Sequence, residues 1–175
     1  MKYMFASDVH GSAYYCRKML DAYKEEKAER LVLLGDLLYH GPRNDLPKEY
    51  APKEVIAMLN DMKREIYAVR GNCEAEVDQM VLQFPVMADY CILNLDGRTF
   101  YATHGHVYNE NNLPPIQEGD ILIHGHTHVL KAEQKEGYVL LNPGSVSIPK
   151  EGNPPTYAIF EDGDFEKNVV KSINL

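Results

Sequence analysis

The chain has 175 residues, 45% hydrophobic and 25% charged, with a net charge of −8. That length suits one domain, 1–175, with a core large enough to fold unaided, and no apolar run approaches the roughly 20 residues of a membrane span. The acidic balance excludes the broad basic footprint that nucleic acid requires, while three cysteines (Cys16, Cys73, Cys91) without a Cys-x-x-Cys pair predict reduced thiols and a cytoplasmic home.

Lys2–Ser7 is a compact apolar run that predicts a first strand and not a secretion signal. Tyr14–Lys27 places Tyr15, Met19, Ala22 and Tyr23 at helical spacing. Leu31–Leu34 is continuously apolar, as a strand buried on both faces must be. Gly41–Ala51, with Pro42 and Pro47, reads as loop, and Pro52 opens a helix to Asp61 at the position where proline is tolerated. Ile66–Val69 is a third buried strand, followed by a polar, helix-prone stretch at Glu74–Leu82. Strands alternating with helices predict a parallel sheet.

The second half changes character. Tyr90–Leu95 and Arg98–Thr103 flank Asp96-Gly97, a strong hairpin signal. Ile121–His124, Val129–Gln134 and Tyr138–Leu141 are short strands, and Thr156–Glu161 and Phe165–Ile173 flank a turn at Asp162-Gly163-Asp164. The pattern predicts two sheets packed face to face with helices outside.

Chemistry-bearing residues stand where the apolar runs end, the place where ligands bind in open α/β sheets. Asp8 and His10, two residues apart, are expected to point to one side of a continuing strand and share a metal. Asp36, after Gly35, offers two oxygens that can bridge two metals, and Asn72 adds a neutral carbonyl oxygen after the third strand. His104 ends another strand, and His126 and His128 form a second pair two residues apart. Imidazole and carboxylate together suit divalent transition metals. Each motif alone is weak; the conjunction of all five is a metal site.

In this order, Asp8-Val9-His10, Gly35-Asp36, Gly71-Asn72, His104 and Gly125-His126-Thr127-His128 resemble the five-block signature of the calcineurin-like metallophosphoesterases over nearly the whole chain. Phe5-Ala6-Ser7-Asp8, His40-Gly41-Pro42-Arg43-Asn44, Val69-Arg70-Gly71-Asn72-Cys73 and the run from Asn142 to Lys150 resemble the small bacterial phosphodiesterases of the YfcE type within it. The resemblance implies an α/β fold, a four-layer α/β/β/α sandwich of two mixed sheets flanked by helices. It implies a dinuclear centre, most often manganese, with iron, zinc or nickel as alternatives. One metal would take Asp8, His10, Asp36 and His128; the other would take Asp36, Asn72, His104 and His126.

The activity so implied is hydrolysis of a small phosphodiester, with Asp36, Asn72, Cys73 and Arg43 in catalytic roles. A phosphomonoesterase or nucleotide phosphatase with the same centre is the alternative. A retromer-type scaffold is weakened because every ligand position is filled, and a nuclease because the chain lacks basic surface. A homo-oligomer is compatible with the chain. His40, Arg43 and Asn44 follow the Asp36 strand, so the loop is expected to overhang the metals and hold substrate, with the Arg43 fork matching a phosphoryl group. His106 and His124 are expected to support the metal-bound imidazoles. One departure stands out. Many family members carry histidine after the asparagine, where this chain has Cys73, a weaker proton donor near neutrality.

Overall fold

Alternation along the first strand sets the layering of the molecule. In β1 (Tyr3–Ala6), Met4 and Ala6 pack on one side with the apolar faces of helices, while Phe5 points the other way into a separate apolar cluster. The same division holds in β2 (Arg30–Leu33), where Leu31 and Leu33 join Met4 and Val32 joins Phe5. The computed structural model describes residues 1–161 and 170–173; the turn at Asp162-Gly163-Asp164 lies outside them.

Helix α1 (Ala13–Glu25) starts at Ser12, whose Oγ accepts from the Tyr15 N–H at 3.2 Å, and buries Cys16, Met19, Leu20 and Tyr23. Helix α2 (Pro52–Asp61) has its proline in the first turn and buries Val55 and Leu59. Both cover the outer face of a sheet ordered β10 (Val170–Ser172), β9 (Thr156–Phe160), β1, β2 and β3 (Ile66–Ala68), in which β1, β2 and β3 are parallel. Strands β9 and β10 return to this sheet antiparallel. The polar stretch gives only a short helix, α3 (Glu76–Val81), without buried residues.

The second sheet, ordered β4-β5-β6-β8-β7, contains β4 (Tyr90–Leu95), β5 (Arg98–Thr103), β6 (Asp120–Ile123), β7 (Leu130–Gln134) and β8 (Tyr138–Pro143). The β4–β5 hairpin forms as expected, with Asp96 and Gly97 both at positive φ. Both sheets are mixed and they pack face to face. Phe5 stacks on Phe100 at 5.5 Å between ring centroids, and Phe160 meets Phe100 edge-on at 4.8 Å. Across the outer face of the second sheet runs the segment after β5, tied down where the Tyr101 hydroxyl donates to the Pro115 carbonyl at 3.0 Å. Among the described residues no helix is long and apolar enough to cross a membrane.

Candidate metal centre

The candidate ligands lie on loops that continue past the strand ends, and this corrects one expectation. Asp8 and His10 are not on a continuing strand: β1 stops at Ala6, and both residues adopt left-handed backbone, with φ of 58° and 49°. Asp36 (56°), His126 (65°) and His128 (59°) do the same. Left-handed residues alternating with ordinary ones curl the chain, so side chains two apart converge by curvature and not by pleat. Such conformations cost of order 1–3 kcal/mol each and persist only where the surroundings fix them. Here backbone hydrogen bonds do so, from Asp8 to Gly35, His10 to Asp36, and Gly11 to Leu37, at 2.9–3.1 Å. Gly71 and Gly125 are required for close approach: a Cβ on Gly71 would collide with the Asp36 carboxylate, and one on Gly125 would lie 2.6 Å from Asp8 Oδ2.

The seven side chains meet at one point, in two groups that share an atom. In the first, His10 Nε2 lies 3.2 Å from His128 Nε2 and 3.6 Å from both Asp8 Oδ1 and Asp36 Oδ2, and His128 Nε2 is 3.2 Å from Asp8 Oδ1. In the second, His104 Nε2 lies 3.4 Å from Asp36 Oδ2, 3.0 Å from Asn72 Oδ1 and 3.2 Å from His126 Nδ1. Ligands about 2.0–2.2 Å from a transition metal stand about 3.0 Å apart at right angles and about 3.4 Å apart in a tetrahedron, so both groups have the edges of a coordination shell. Asp8 Oδ1 is buried and accepts no hydrogen bond, as expected of an oxygen kept for a cation.

Outer contacts orient the ligands. The Nδ1 positions of His10, His104 and His128 face the carbonyls of Tyr39, Leu34 and Ile148 at 2.8, 2.6 and 2.9 Å, which turns each Nε2 inward. Asp36 Oδ1 accepts from the Cys73 N–H at 2.9 Å, leaving Oδ2 for the centre. Three supports were missed in the sequence. Buried Glu74 accepts from the backbone N–H groups of Asp36, Leu37 and Gly71 at 2.9, 2.7 and 2.5 Å, clipping two ligand loops together. Ser145 and Ser147 both donate to the Asp8 carbonyl, at 2.8 and 3.0 Å. The signal for Glu74 was its place three residues after Gly71; the serines lie in the motif run from Asn142.

Charge is shared within the cluster. Burial alone would raise Asp8, yet contacts with His10 and His128 hold it well below the usual carboxylate range. Burial would lower His104, but the Asp36 contact outweighs it and lifts the imidazole to about 9. His126 is pushed down to about 4 by burial and then by His104. Burial, then the charge of Asp36, pushes the Cys73 thiol far above its ordinary value.

A cleft of about 900 Å³ opens over the centre, with Tyr39, Arg43, Asn44, Cys73 and Lys150 among its walls. His40 stands behind this wall, edge-on to the rings of Tyr39 and Tyr50, and its carbonyl accepts from Asn44 Nδ2 at 2.8 Å. Of the two supporting histidines, His124 lies 3.0 Å from Glu110 Oε2 through Nε2, and His106 packs 5.4 Å from His104 between ring centroids.

The model of the calcineurin-like phosphoesterase superfamily domain matches residues 1–164. The phosphodiesterase YfcE of Escherichia coli K12 is 47% identical over 162 residues, covering 93% of this chain and 88% of its own. The solved structure of that protein, described as a phosphoesterase, superposes with a TM-score of 0.92 at 43% identity, covering 99% of this chain and all of the other. The phosphodiesterase MJ0936 of Methanocaldococcus jannaschii is 25% identical, covering 100% of this chain and 99% of its own. Zinc-bound Vps29 of Entamoeba histolytica shares the fold alone, with a TM-score of 0.59 at 18% identity, covering 98% and 97% of the two chains.

Proposed function

The chain belongs to the calcineurin-like phosphoesterase superfamily, and from that premise we propose that it is a phosphodiesterase, a metal-dependent hydrolase that cleaves a small phosphodiester with water. The observation that carries this reading is the pair of ligand groups meeting at Asp36 Oδ2. Asp8, His10, Asp36 and His128 would hold one cation; Asp36, Asn72, His104 and His126 would hold the other. Manganese is the expected metal, and the nitrogen and oxygen donor set also accepts iron, zinc or nickel. What such a pair of cations supplies is an activated water and neutralisation of charge developing on phosphorus.

The chain's own residues do the rest. Arg43, on the cleft wall, offers a planar fork of donors to a non-bridging phosphoryl oxygen, and Asn44 and Lys150 border the same space. A thiol at Cys73 is a weaker proton donor near neutrality than an imidazole and gives the leaving group little help, which favours substrates whose leaving groups are already good. One domain, 1–175, carries the whole site. Three free thiols, Cys16, Cys73 and Cys91, fit a cytoplasmic setting.

A direct test compares bis(p-nitrophenyl) phosphate with p-nitrophenyl phosphate, which share a leaving group, on the purified manganese-loaded protein. The diester is expected to give the higher kcat/KM. The reverse order would make the protein a phosphomonoesterase. Hydrolysis of neither, with manganese, iron, zinc or nickel, would leave the scaffold reading.

A further inference from the structure

The cleft is far larger than one phosphate needs, and its walls include Tyr39, an aromatic residue outside the two ligand groups. We propose that Tyr39 is the docking platform for an aromatic group of the substrate, a base or aryl ring carried on the ester arm that stays on phosphorus, while the other arm departs as a good leaving group. This rests on the phosphodiesterase reading and names its substrate class.

Four observations carry it. Tyr39 lines the same cleft as His10, Asp36, Asn72, His126 and His128, and the residue as a whole is 43% exposed. Its root is fixed to the centre, because its carbonyl lies 2.8 Å from His10 Nδ1. Its ring is held by neighbours: His40 and Tyr39 meet edge-on at 4.7 Å, and Tyr50 and His40 meet edge-on at 5.2 Å. The cleft's volume of about 900 Å³ falls in the range of sites that hold a whole small organic ligand. A fixed, exposed ring is a low-entropy surface on which a base stacks, and stacking tolerates any base because each has a π-face. Arg43 and Lys150, on the same walls, are cations suited to the phosphate that such a group carries.

The test is calorimetric binding of adenosine 5′-monophosphate and ribose 5-phosphate to the manganese-loaded protein. The two share ribose and phosphate, so their affinity ratio isolates the base. The expected ratio is about five- to a hundredfold in favour of the nucleotide, the size of one base–aromatic stack. Tyr39→Leu, which keeps apolar bulk and removes the π-face, should collapse the ratio to near unity with metal content unchanged, and Tyr39→Phe should preserve it. Equal affinities in the unmodified protein, or a ratio that survives Tyr39→Leu, would overturn the proposal. Hydrolysis of bis(p-nitrophenyl) phosphate by the same preparation reads the activity separately. A protein that prefers the nucleotide yet cleaves no diester retains the platform and loses the phosphodiesterase assignment. One that cleaves the diester with no such preference does the reverse.

Discussion

Cys73 borders the cleft beside Asn72, and in the proposed reaction it would serve the leaving group only as a poor acid. Its N–H is committed to Asp36 Oδ1 at 2.9 Å, and a thiol is a weaker proton donor near neutrality than an imidazole. Departure of the leaving group is therefore unassisted, and the rate should fall steeply as leaving-group pKa rises. General acid catalysis contributes about 10²–10⁴-fold, so nitrophenyl diesters should outrun alkyl diesters by a comparable factor. Cys73→His should narrow that gap, since an imidazole near neutral pKa carries a transferable proton. A series of diesters of graded leaving-group pKa, run on both proteins, measures the slope. A flat dependence in the unmodified enzyme would place the acid elsewhere. At this scale the seven side chains that converge were legible in the sequence as candidate ligands, because each motif pairs a donor with a nearby glycine. The supports were not: apart from the Glu74 contact with Gly71, Glu74 and Ser145 act through backbone groups distant in the chain, at Asp36, Leu37 and Asp8.

Elements were read from apolar runs and from proline, and these signals place β1 to β6, α1 and α2 within a few residues of where they form. Two features escaped. The left-handed turns at Asp8, His10, His126 and His128 depend on hydrogen bonds from neighbouring loops, so an isolated strand pattern cannot predict them. The return of β9 and β10 to the first sheet is a tertiary choice that alternation alone does not encode. The segment between β5 and β6 is anchored by Glu110, which accepts from Lys131 Nζ at 2.6 Å and faces His124 Nε2 at 3.0 Å. Burial would raise the Glu110 pKa, but the Lys131 hydrogen bond and the neighbouring charges lower it from 4.5 to about 2. A depressed carboxylate pKa stabilises the fold above the unfolded value, and that contribution disappears as pH falls through the folded value. Glu110→Gln should thus lower Tm at pH 7, and the difference from the unmodified protein should shrink between pH of about 4.5 and about 2. Thermal melts across that window check it; a difference independent of pH would show that the ion pair is not what holds the segment.

On the scale of the molecule, the centre exists only because two sheets meet. The first sheet supplies Asp8, His10, Asp36 and Asn72, and the second supplies His104, His126 and His128. Each ligand group draws on both, so the registration of the sandwich, held by Phe5, Phe100 and Phe160, sets the metal geometry. Apolar clusters on both sides of the first sheet should sustain the fold without help from cations, unlike a zinc finger that unfolds without its metal. The sequence made this architecture legible as two packed sheets, because its first half alternates strands with helices and its second half is nearly all strand. The most direct test titrates metal-free protein with Mn²⁺ while following bound metal, far-ultraviolet circular dichroism and hydrolysis of bis(p-nitrophenyl) phosphate, in parallel with Asp36→Asn. Constant circular dichroism, two ions bound per chain, hydrolysis that requires both, and loss of both ions and of activity in Asp36→Asn are the expected results. Two tightly bound ions in Asp36→Asn, or diester hydrolysis by the metal-free protein, would contradict a centre bridged by Asp36.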